Sequence, residues 1–173
     1  MQKIELEIVA LSHSVTQSNS YAVILGEVKG VRRLPIVIGG FEAQAIAVAL
    51  ENMHPSRPLT HDLMKNLMTS FDIQLQEVFI CDLQEGIFFS KLVCFTANDT
   101  IEIDSRTSDA LALAVRFGCP IYVFGTILEQ AGLENESSEK ITTAKAPLIE
   151  QKKKDLASLT LAELNDLLNE VLE

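Results

Sequence analysis

Apolar and polar residues alternate along the start of the chain in the pattern of β-strands. Residues 3–11 place isoleucine and leucine on one face and mostly lysine and glutamate on the other, which predicts a strand with one solvated face. Two apolar, β-branched runs at 21–28 and 31–38 are separated by Lys29 and Gly30, and this spacing is typical of a β-hairpin. The chain is therefore predicted to open with three strands.

Three later segments have the composition of helices. Residues 41–53 are rich in alanine and apolar around most of the helix circumference, which predicts a helix that is covered on several sides, by another element or by a second subunit. Residues 61–71 follow Thr60, which we expect to be the N-cap of a helix. Residues 110–117 precede Gly118, a residue suited to terminate a helix.

The remaining strands complete the predicted fold. Residues 73–82 and 86–97 have the pattern of a second hairpin, and residues 100–104 and 121–124 that of two short strands. Short turns join many of these strands, so most strand pairs are expected to be antiparallel. This order of elements is typical of an α+β fold, with a mixed, largely antiparallel sheet and about three packed helices.

The sequence divides into a domain of residues 1–133, a charged linker of residues 134–155 and a C-terminal helix of residues 156–173. The linker is polar, lacks an apolar period and includes three consecutive lysines. The last segment carries a leucine stripe that nothing nearby in the sequence covers. We expect this amphipathic helix to dock on the domain, to pair with a partner, or to continue in a longer chain.

Composition and the first residues favour a cytoplasmic protein. Apolar residues make up 47% of the 173 residues, enough for one well-filled core. No apolar run is long enough to cross a membrane, and the first residues lack the apolar block of a signal peptide.

Cys81, Cys94 and Cys119 match no zinc-binding spacing. They are expected to be small buried core residues, with a redox or metal role as the alternative.

The formal net charge of −10 limits the nucleic-acid-binding functions open to the chain. Tight, non-specific binding to nucleic acid is driven by a basic excess that releases counterions from the phosphates, and neither the domain nor the tail has such an excess. The charge does not exclude a nuclease, because a local basic patch or a bound divalent cation can offset the acidic field.

Polar residues with catalytic chemistry occur in three places. Glu42 follows a glycine pair at the start of the alanine-rich helix, where a carboxylate either interacts favourably with the helix dipole or belongs to a site. His61 and Asp62 fall in the first turn of the next helix. A histidine beside an aspartate can act as a general base or a metal ligand, or simply as a hydrogen-bonding group.

The third place is the stretch 101–124, where a polar corner separates two core elements. Asp104 ends the predicted strand, Asp109 lies in the first turn of the predicted helix, Arg106 lies between them, and Arg116 follows on the same helix face as Asp109. Two acids flanking an arginine can place a divalent cation and a phosphate side by side. They can equally form a salt-bridge lock that ties the strand to the helix.

Three sequence blocks resemble the bifunctional nuclease domain family. They read LPIVIGGFEAQAIAVALE, RPLTHDLMKNLM and IEIDSRTSDALALAVRFGCPIYV, and the resemblance covers about residues 1–133. The family pattern falls on these residues of the chain: Glu42, Arg57, Thr60, His61, Asp62, Asp104, Arg106, Ser108, Asp109 and Arg116. Thr107 stands where the family usually has proline, and we expect this threonine to cap the helix.

The resemblance implies a metal-assisted nuclease that hydrolyses phosphodiester bonds of RNA or DNA, since a plant relative named for action on both gave the family its name. In this interpretation His61 is the general base that activates water. The predicted catalytic residues are His61, Asp62 and Asp109, the predicted ligands of Mg²⁺ or Mn²⁺ are Glu42, Asp104 and Asp109, and the predicted substrate-binding residues are Arg57, Arg106, Ser108 and Arg116.

The alternative is a non-catalytic interaction or regulatory module whose polar corner is a structural salt-bridge lock. The acidic balance, the alanine-rich helix and the uncovered leucine stripe favour this alternative and a homo-oligomer, a dimer or a trimer.

The C-terminal segment also resembles a helical motif shared by the B and C subunits of bacterial excision-repair nucleases. Only the first half of that helical hairpin is present in this sequence.

Overall fold

A single sheet of eight strands supports the part of the chain that the computed structural model describes, residues 2–13, 20–97 and 99–134. The strands are β1 (Lys3–His13), β2 (Ser20–Glu27), β3 (Arg32–Gly39), β4 (Gln74–Gln84), β5 (Ile87–Phe95), β6 (Thr100–Arg106), β7 (Ile121–Phe124) and β8 (Leu133–Glu134). Their order across the sheet is β6-β5-β4-β7-β1-β2-β3-β8. All neighbours are antiparallel except β4 and β7. The mixed, largely antiparallel sheet of the predicted α+β fold is therefore confirmed.

Four helices accompany the sheet within the described residues: α1 (Gly40–Leu50), α2 (Thr60–Ser70), α3 (Thr107–Phe117) and α4 (Gly125–Ala131). The first three correspond to the predicted helices. The sequence analysis did not predict α4, because seven residues that begin with a glycine are too short to show a helical period. α3 packs against α1, α2, β4 and β5, so it lies at the centre of the helical layer.

Alanine residues line the contact between α1 and α3. Ala43 on α1 and Ala110, Ala112 and Ala114 on α3 are buried, and the two helices pack directly against each other. Small side chains at a helix contact allow the two axes to approach closely. The prediction that another element covers α1 is thus confirmed, and the covering element is α3 of the same chain.

Neither threonine that was expected to cap a helix does so. Thr60 and Thr107 are the first helical residues of α2 and α3, and the preceding residues Leu59 and Arg106 hold the N-cap positions. At the start of α2 the Leu59 amide donates to the Asp62 carboxylate at 2.9 Å. A carboxylate at the third helical position fastens the start of a helix in this way, so Asp62 has a structural role in α2.

Thr107 uses its hydroxyl to join α3 to the sheet. Its Oγ1 donates to the Phe88 carbonyl at 3.1 Å and lies 2.6 Å from Ser90 Oγ. The Ser90 hydroxyl is therefore the donor in the second hydrogen bond, and both hydroxyls are buried. A proline would suit this first helical position but has no hydroxyl, so the threonine fixes the corner through tertiary hydrogen bonds.

The cysteines occupy the positions expected of small core residues. Cys94 is buried, Cys81 and Cys119 are half-buried, and all three thiols are free. Burial raises the pKa of each thiol, that of Cys119 to about 11. A protonated thiol is a poor nucleophile and a poor metal ligand, which favours the packing role over the redox or metal role.

The predicted domain of residues 1–133 stays a prediction. Beyond Glu134, the predicted linker at 134–155 and C-terminal helix at 156–173 lie outside the described residues. None of the helices within the described ranges is long and apolar enough to cross a bilayer. The cytoplasmic location stays a prediction.

Thr107→Val is expected to destabilise the fold by about 1–3 kcal/mol, because it leaves the buried Ser90 hydroxyl without its partner. Urea unfolding followed by circular dichroism measures the change. Adding Ser90→Ala is expected to recover part of the loss, since the second substitution removes the unpaired hydroxyl. A Thr107→Val protein as stable as the parent would show that these hydrogen bonds do not hold the corner.

Candidate active site

The first turns of α1, α2 and α3 meet in one cluster of polar side chains. Glu42 lies in the first turn of α1, His61 in that of α2 and Asp109 in that of α3, while Arg106 is the N-cap residue of α3. Glu42 and Arg106 are 64 residues apart in the sequence, and His61 and Asp109 are 48 apart. These four residues are called the Arg106 cluster below.

Arg106 links the two carboxylates of the cluster. Its Nε and Nη2 donate to the two oxygens of Asp109 at 2.6 and 3.2 Å, and its Nη1 donates to Glu42 Oε1 at 3.0 Å. A guanidinium has five N–H groups, so two remain unused by these contacts. Because 69% of the Arg106 side chain is exposed, an anion from solvent can reach it.

Asp109 also fixes the orientation of His61. Nε2 of His61 lies 3.1 Å from Asp109 Oδ1, and the ring is mostly buried. Burial alone would raise the pKa of Asp109, but hydrogen bonds from Arg106 and His61 outweigh burial, and the pKa lies below its usual value. Since an ionised carboxylate only accepts hydrogen bonds, Nε2 carries a proton. In the neutral ring Nδ1 is then left as the basic nitrogen.

Gly39 leaves room for the Glu42 carboxylate. A Cβ atom on residue 39 would lie 2.5 Å from Glu42 Oε2, closer than two non-bonded heavy atoms approach. A larger residue at this position would therefore push the carboxylate away from its place beside Arg106. The glycine pair thus marks the start of α1, and its first glycine also leaves space for the Glu42 carboxylate.

A second ion pair, between Arg116 and Asp62, lies within the helical layer. Arg116 Nε donates to Asp62 Oδ1 at 2.6 Å, and Nη1 donates to the carbonyls of Ala45 and Ala112 at 2.8 and 2.9 Å. Only 5% of the Arg116 side chain is exposed. This guanidinium joins α1, α2 and α3 as a structural lock. Both residues take part in this ion pair, and the substrate-binding role of Arg116 and the catalytic role of Asp62 stay predictions.

Three further residues from the predicted site lie outside the Arg106 cluster. Asp104 is exposed on β6, where it pairs in register with Lys91 of β5, and no hydrogen bond of the described residues links it to the cluster. Arg57 is exposed on the loop before α2 and has no hydrogen bond or ion pair with the described part of the chain. Ser108 lies half-buried in the first turn of α3, and its hydroxyl likewise has no partner there.

A cleft of about 500 Å³ adjoins the cluster, and its lining includes Glu42, Arg106 and Ser108. The rest of its lining is mostly apolar and includes Pro35, Ile36, Val37, Ile38, Leu83, Ile87, Phe88 and Ala131. In the sheet β4, β7, β1 and β2 separate β5 from β3, yet both strands line this cleft, so the sheet curls. No local sequence pattern signals this curl, and the sequence analysis missed the apolar lining for that reason.

The described residues do not form a metal site in this arrangement. Across residues 2–13, 20–97 and 99–134, no group of three or more His, Cys, Asp or Glu side chains is placed to hold an ion. Of the predicted ligands, Glu42 and Asp109 both face the Arg106 guanidinium, and Asp104 lies apart. A cation at the two paired carboxylates would have to displace Arg106.

Comparisons with known proteins agree on one family. The sequence model of the bifunctional nuclease domain matches residues 23–136. An uncharacterized protein of Mycobacterium tuberculosis is 47% identical over 128 residues, which cover 73% of this chain and 76% of that protein. Bifunctional nuclease 1 of Arabidopsis thaliana and Bifunctional nuclease 2 of Oryza sativa subsp. japonica are 25% and 24% identical over 64% of this chain and 35% of their own lengths.

Asp62→Asn is expected to lower the free energy of unfolding at neutral pH by about 2 kcal/mol, because it leaves a buried guanidinium without its counter-ion. Glu102→Gln removes the exposed pair with Lys91 and is the matched control, with a much smaller expected change, because solvent screens an exposed ion pair. Chemical unfolding measures both changes. Equal effects of the two substitutions would contradict the lock.

The contribution of Asp62 to the stability of the fold depends on pH. Burial would raise the pKa of Asp62, but hydrogen bonds from Arg116 and the Leu59 amide outweigh burial, and the pKa lies below its usual value of 3.8. A lowered folded-state pKa stabilises the fold above the unfolded pKa, and this stability is lost as the pH falls through the folded-state value. Stability should therefore be steady above about pH 5 and fall in more acidic solution, less steeply in Asp62→Asn.

Proposed function

Because the chain belongs to the bifunctional nuclease domain family, we propose that it cleaves phosphodiester bonds of RNA or DNA at the Arg106 cluster. The observation that carries this proposal is the hydrogen-bonded path from the exposed Arg106 through Asp109 to His61. Cleavage of a phosphodiester needs a cationic group for the phosphate and a base for the attacking nucleophile. This path supplies both groups at the starts of two neighbouring helices, His61 from α2 and Arg106 from the N-cap of α3.

In the proposed reaction each residue has one task. Arg106 binds a phosphate oxygen through the two N–H groups that it does not use within the cluster. His61 Nδ1 accepts the proton of the attacking water or hydroxyl as its oxygen bonds to phosphorus, and the leaving oxygen takes up a proton from the imidazolium or from solvent as its P–O bond breaks. Asp109 is a positioning residue, which keeps the ring in the required tautomer and stabilises the imidazolium that forms. Arg57, on the exposed loop before α2, supplies a second guanidinium for the substrate.

The charge of the cluster limits the affinity for a phosphodiester. When His61 is neutral, Arg106 contributes +1 and Glu42 and Asp109 each contribute −1, so the side chains sum to −1. A phosphodiester is itself an anion, and Arg57 would offset one of the two negative charges as the substrate approaches. We therefore expect weak and salt-sensitive binding, which agrees with the net charge of −10.

His61→Ala is expected to lower kcat on labelled single-stranded RNA or DNA about a hundredfold or more, since it removes the general base. Asp109→Asn is expected to lower kcat as well, because a neutral amide no longer fixes the ring tautomer. Glu102→Gln, an acid-to-amide change on the exposed edge strand β6, is the control and should cut like the parent. If both site variants also cut like the parent, the reaction takes place elsewhere.

Mg²⁺ or Mn²⁺ remains a prediction from the sequence, and the same assay tests it. Cleavage that persists in EDTA would assign the reaction to the described side chains alone. Cleavage that stops in EDTA and returns with Mg²⁺ or Mn²⁺ would favour an ion that displaces Arg106 from Glu42 and Asp109. Arg106→Gln should then increase the affinity for the ion, because the competing guanidinium is gone.

A second candidate function, a non-catalytic assembly module, is favoured by exposed apolar side chains on two helices. Phe41 at the start of α1 is 88% exposed, and Leu63, Leu67 and Phe71 form an exposed stripe along α2 and its C-cap. Exposed apolar surface of this kind marks interaction sites. We propose that the α2 stripe packs on the same stripe of a second copy, because a two-fold contact buries both stripes at once.

The parent chain is expected to be a dimer in light scattering, and Leu67→Ser is expected to shift it towards the monomer. The control is Val31→Ser, which changes an exposed apolar residue in the turn between β2 and β3. It should leave the oligomeric state unchanged. A parent chain that stays monomeric at high concentration would reject the assembly module.

A further inference from the structure

The cleft beside the Arg106 cluster has two chemically different ends. Arg106 bonds to Glu42 and precedes Ser108 by two residues, and these lining residues are called the polar end. The lining residues of β3 and of the β4–β5 hairpin are called the apolar end. Its volume of about 500 Å³ lies in the range of small-molecule sites. Such a shape suits a ligand with an anionic group attached to a flat, weakly polar body.

The apolar end is open to ligands, because its side chains reach the solvent. Ile87 on the hairpin is 62% exposed and Val37 on β3 is 58% exposed, although both line the cleft. Phe88 and Ile38 extend the same lining towards the core. Branched aliphatic groups and one aromatic ring, concentrated in a concave surface, offer contact area to a planar ring and few hydrogen bonds.

The polar end offers unused donors. Arg106 has two N–H groups beyond those bound to Glu42 and Asp109, and its side chain makes no capping hydrogen bond to α3. The Ser108 hydroxyl also has no partner within the described part of the chain. A phosphate placed here would receive charge-assisted hydrogen bonds at the same arginine that the proposed reaction uses.

We propose that this cleft binds one nucleotide unit of the substrate, with the base against Ile87, Phe88 and Ile38 and the phosphate on Arg106 and Ser108. This inference rests on the proposed function and specifies how the substrate is held. Stacking and apolar contact tolerate any base, because every base has a π-face. The side chains of the apolar end carry no groups that read base edges, so we expect little preference among the four bases.

Calorimetric titration of the full chain in EDTA with adenosine 5′-monophosphate, adenosine and inorganic phosphate tests this site. The nucleotide is expected to bind at least about tenfold more tightly than adenosine or phosphate, because it fills both ends. Ile87→Ala is expected to weaken nucleotide binding about three- to tenfold, through lost apolar contact, and to leave phosphate binding unchanged. Ile101→Ala is the matched control, since Ile101 is 46% exposed on β6 and outside the cleft.

Two results would overturn the inference. One is phosphate binding as tight as nucleotide binding, and the other is an equal effect of Ile87→Ala and Ile101→Ala. The outcome also separates this inference from the proposed function. Nucleotide binding that Ile87→Ala weakens, in a chain that cuts neither RNA nor DNA, would keep the site and reject the nuclease. Cleavage whose KM is the same in Ile87→Ala would keep the nuclease and reject the site.

Discussion

The buried Arg116 guanidinium is the contact on which the candidate site depends. It belongs to α3, and it binds the Asp62 carboxylate of α2 and the Ala45 carbonyl of α1, which fixes the three helices relative to one another. The first turns of the same helices carry the Arg106 cluster. The pair of Arg116 with Asp62 is a structural lock, and the exposed Arg106 cluster contains ion pairs of the polar corner that the sequence allows either as a lock or as a site. The buried Arg116 thus holds together the helices whose first turns position the exposed Arg106.

Helix dipoles explain how two carboxylates can lie together in this cluster. The N-terminus of a helix carries roughly half of a positive elementary charge, and the first turns of α1, α2 and α3 meet here. Each of these ends favours a nearby carboxylate, which offsets part of the formal −1 of the side chains. The local field that a phosphate meets is thus much less negative than the net charge of −10 indicates.

Local patterns in the sequence predict the elements of this fold better than they predict its site. Both hairpins and three of the four described helices can be predicted from the spacing of apolar residues, because this spacing involves only residues that are close together in the sequence. The caps at Thr60 and Thr107 were predicted wrongly, since the Thr107 hydroxyl bonds to Ser90 through a tertiary contact. The meeting of Glu42 with Arg106 across 64 residues, and the curl of the sheet that forms the cleft, have no local signal either.

The place of β7 in the sheet governs the order in which the chain can fold. Strands β1 to β3 and strands β4 to β6 form two antiparallel halves, and in the sheet of the described residues the four-residue strand β7 (Ile121–Phe124) pairs with both of them. During synthesis the ribosome delivers both halves before it delivers the strand that connects them. Until then β1 and β4 present unpaired edges, which readily pair with other chains. The nascent chain is therefore most exposed to pairing with other chains in the interval before residue 124 emerges.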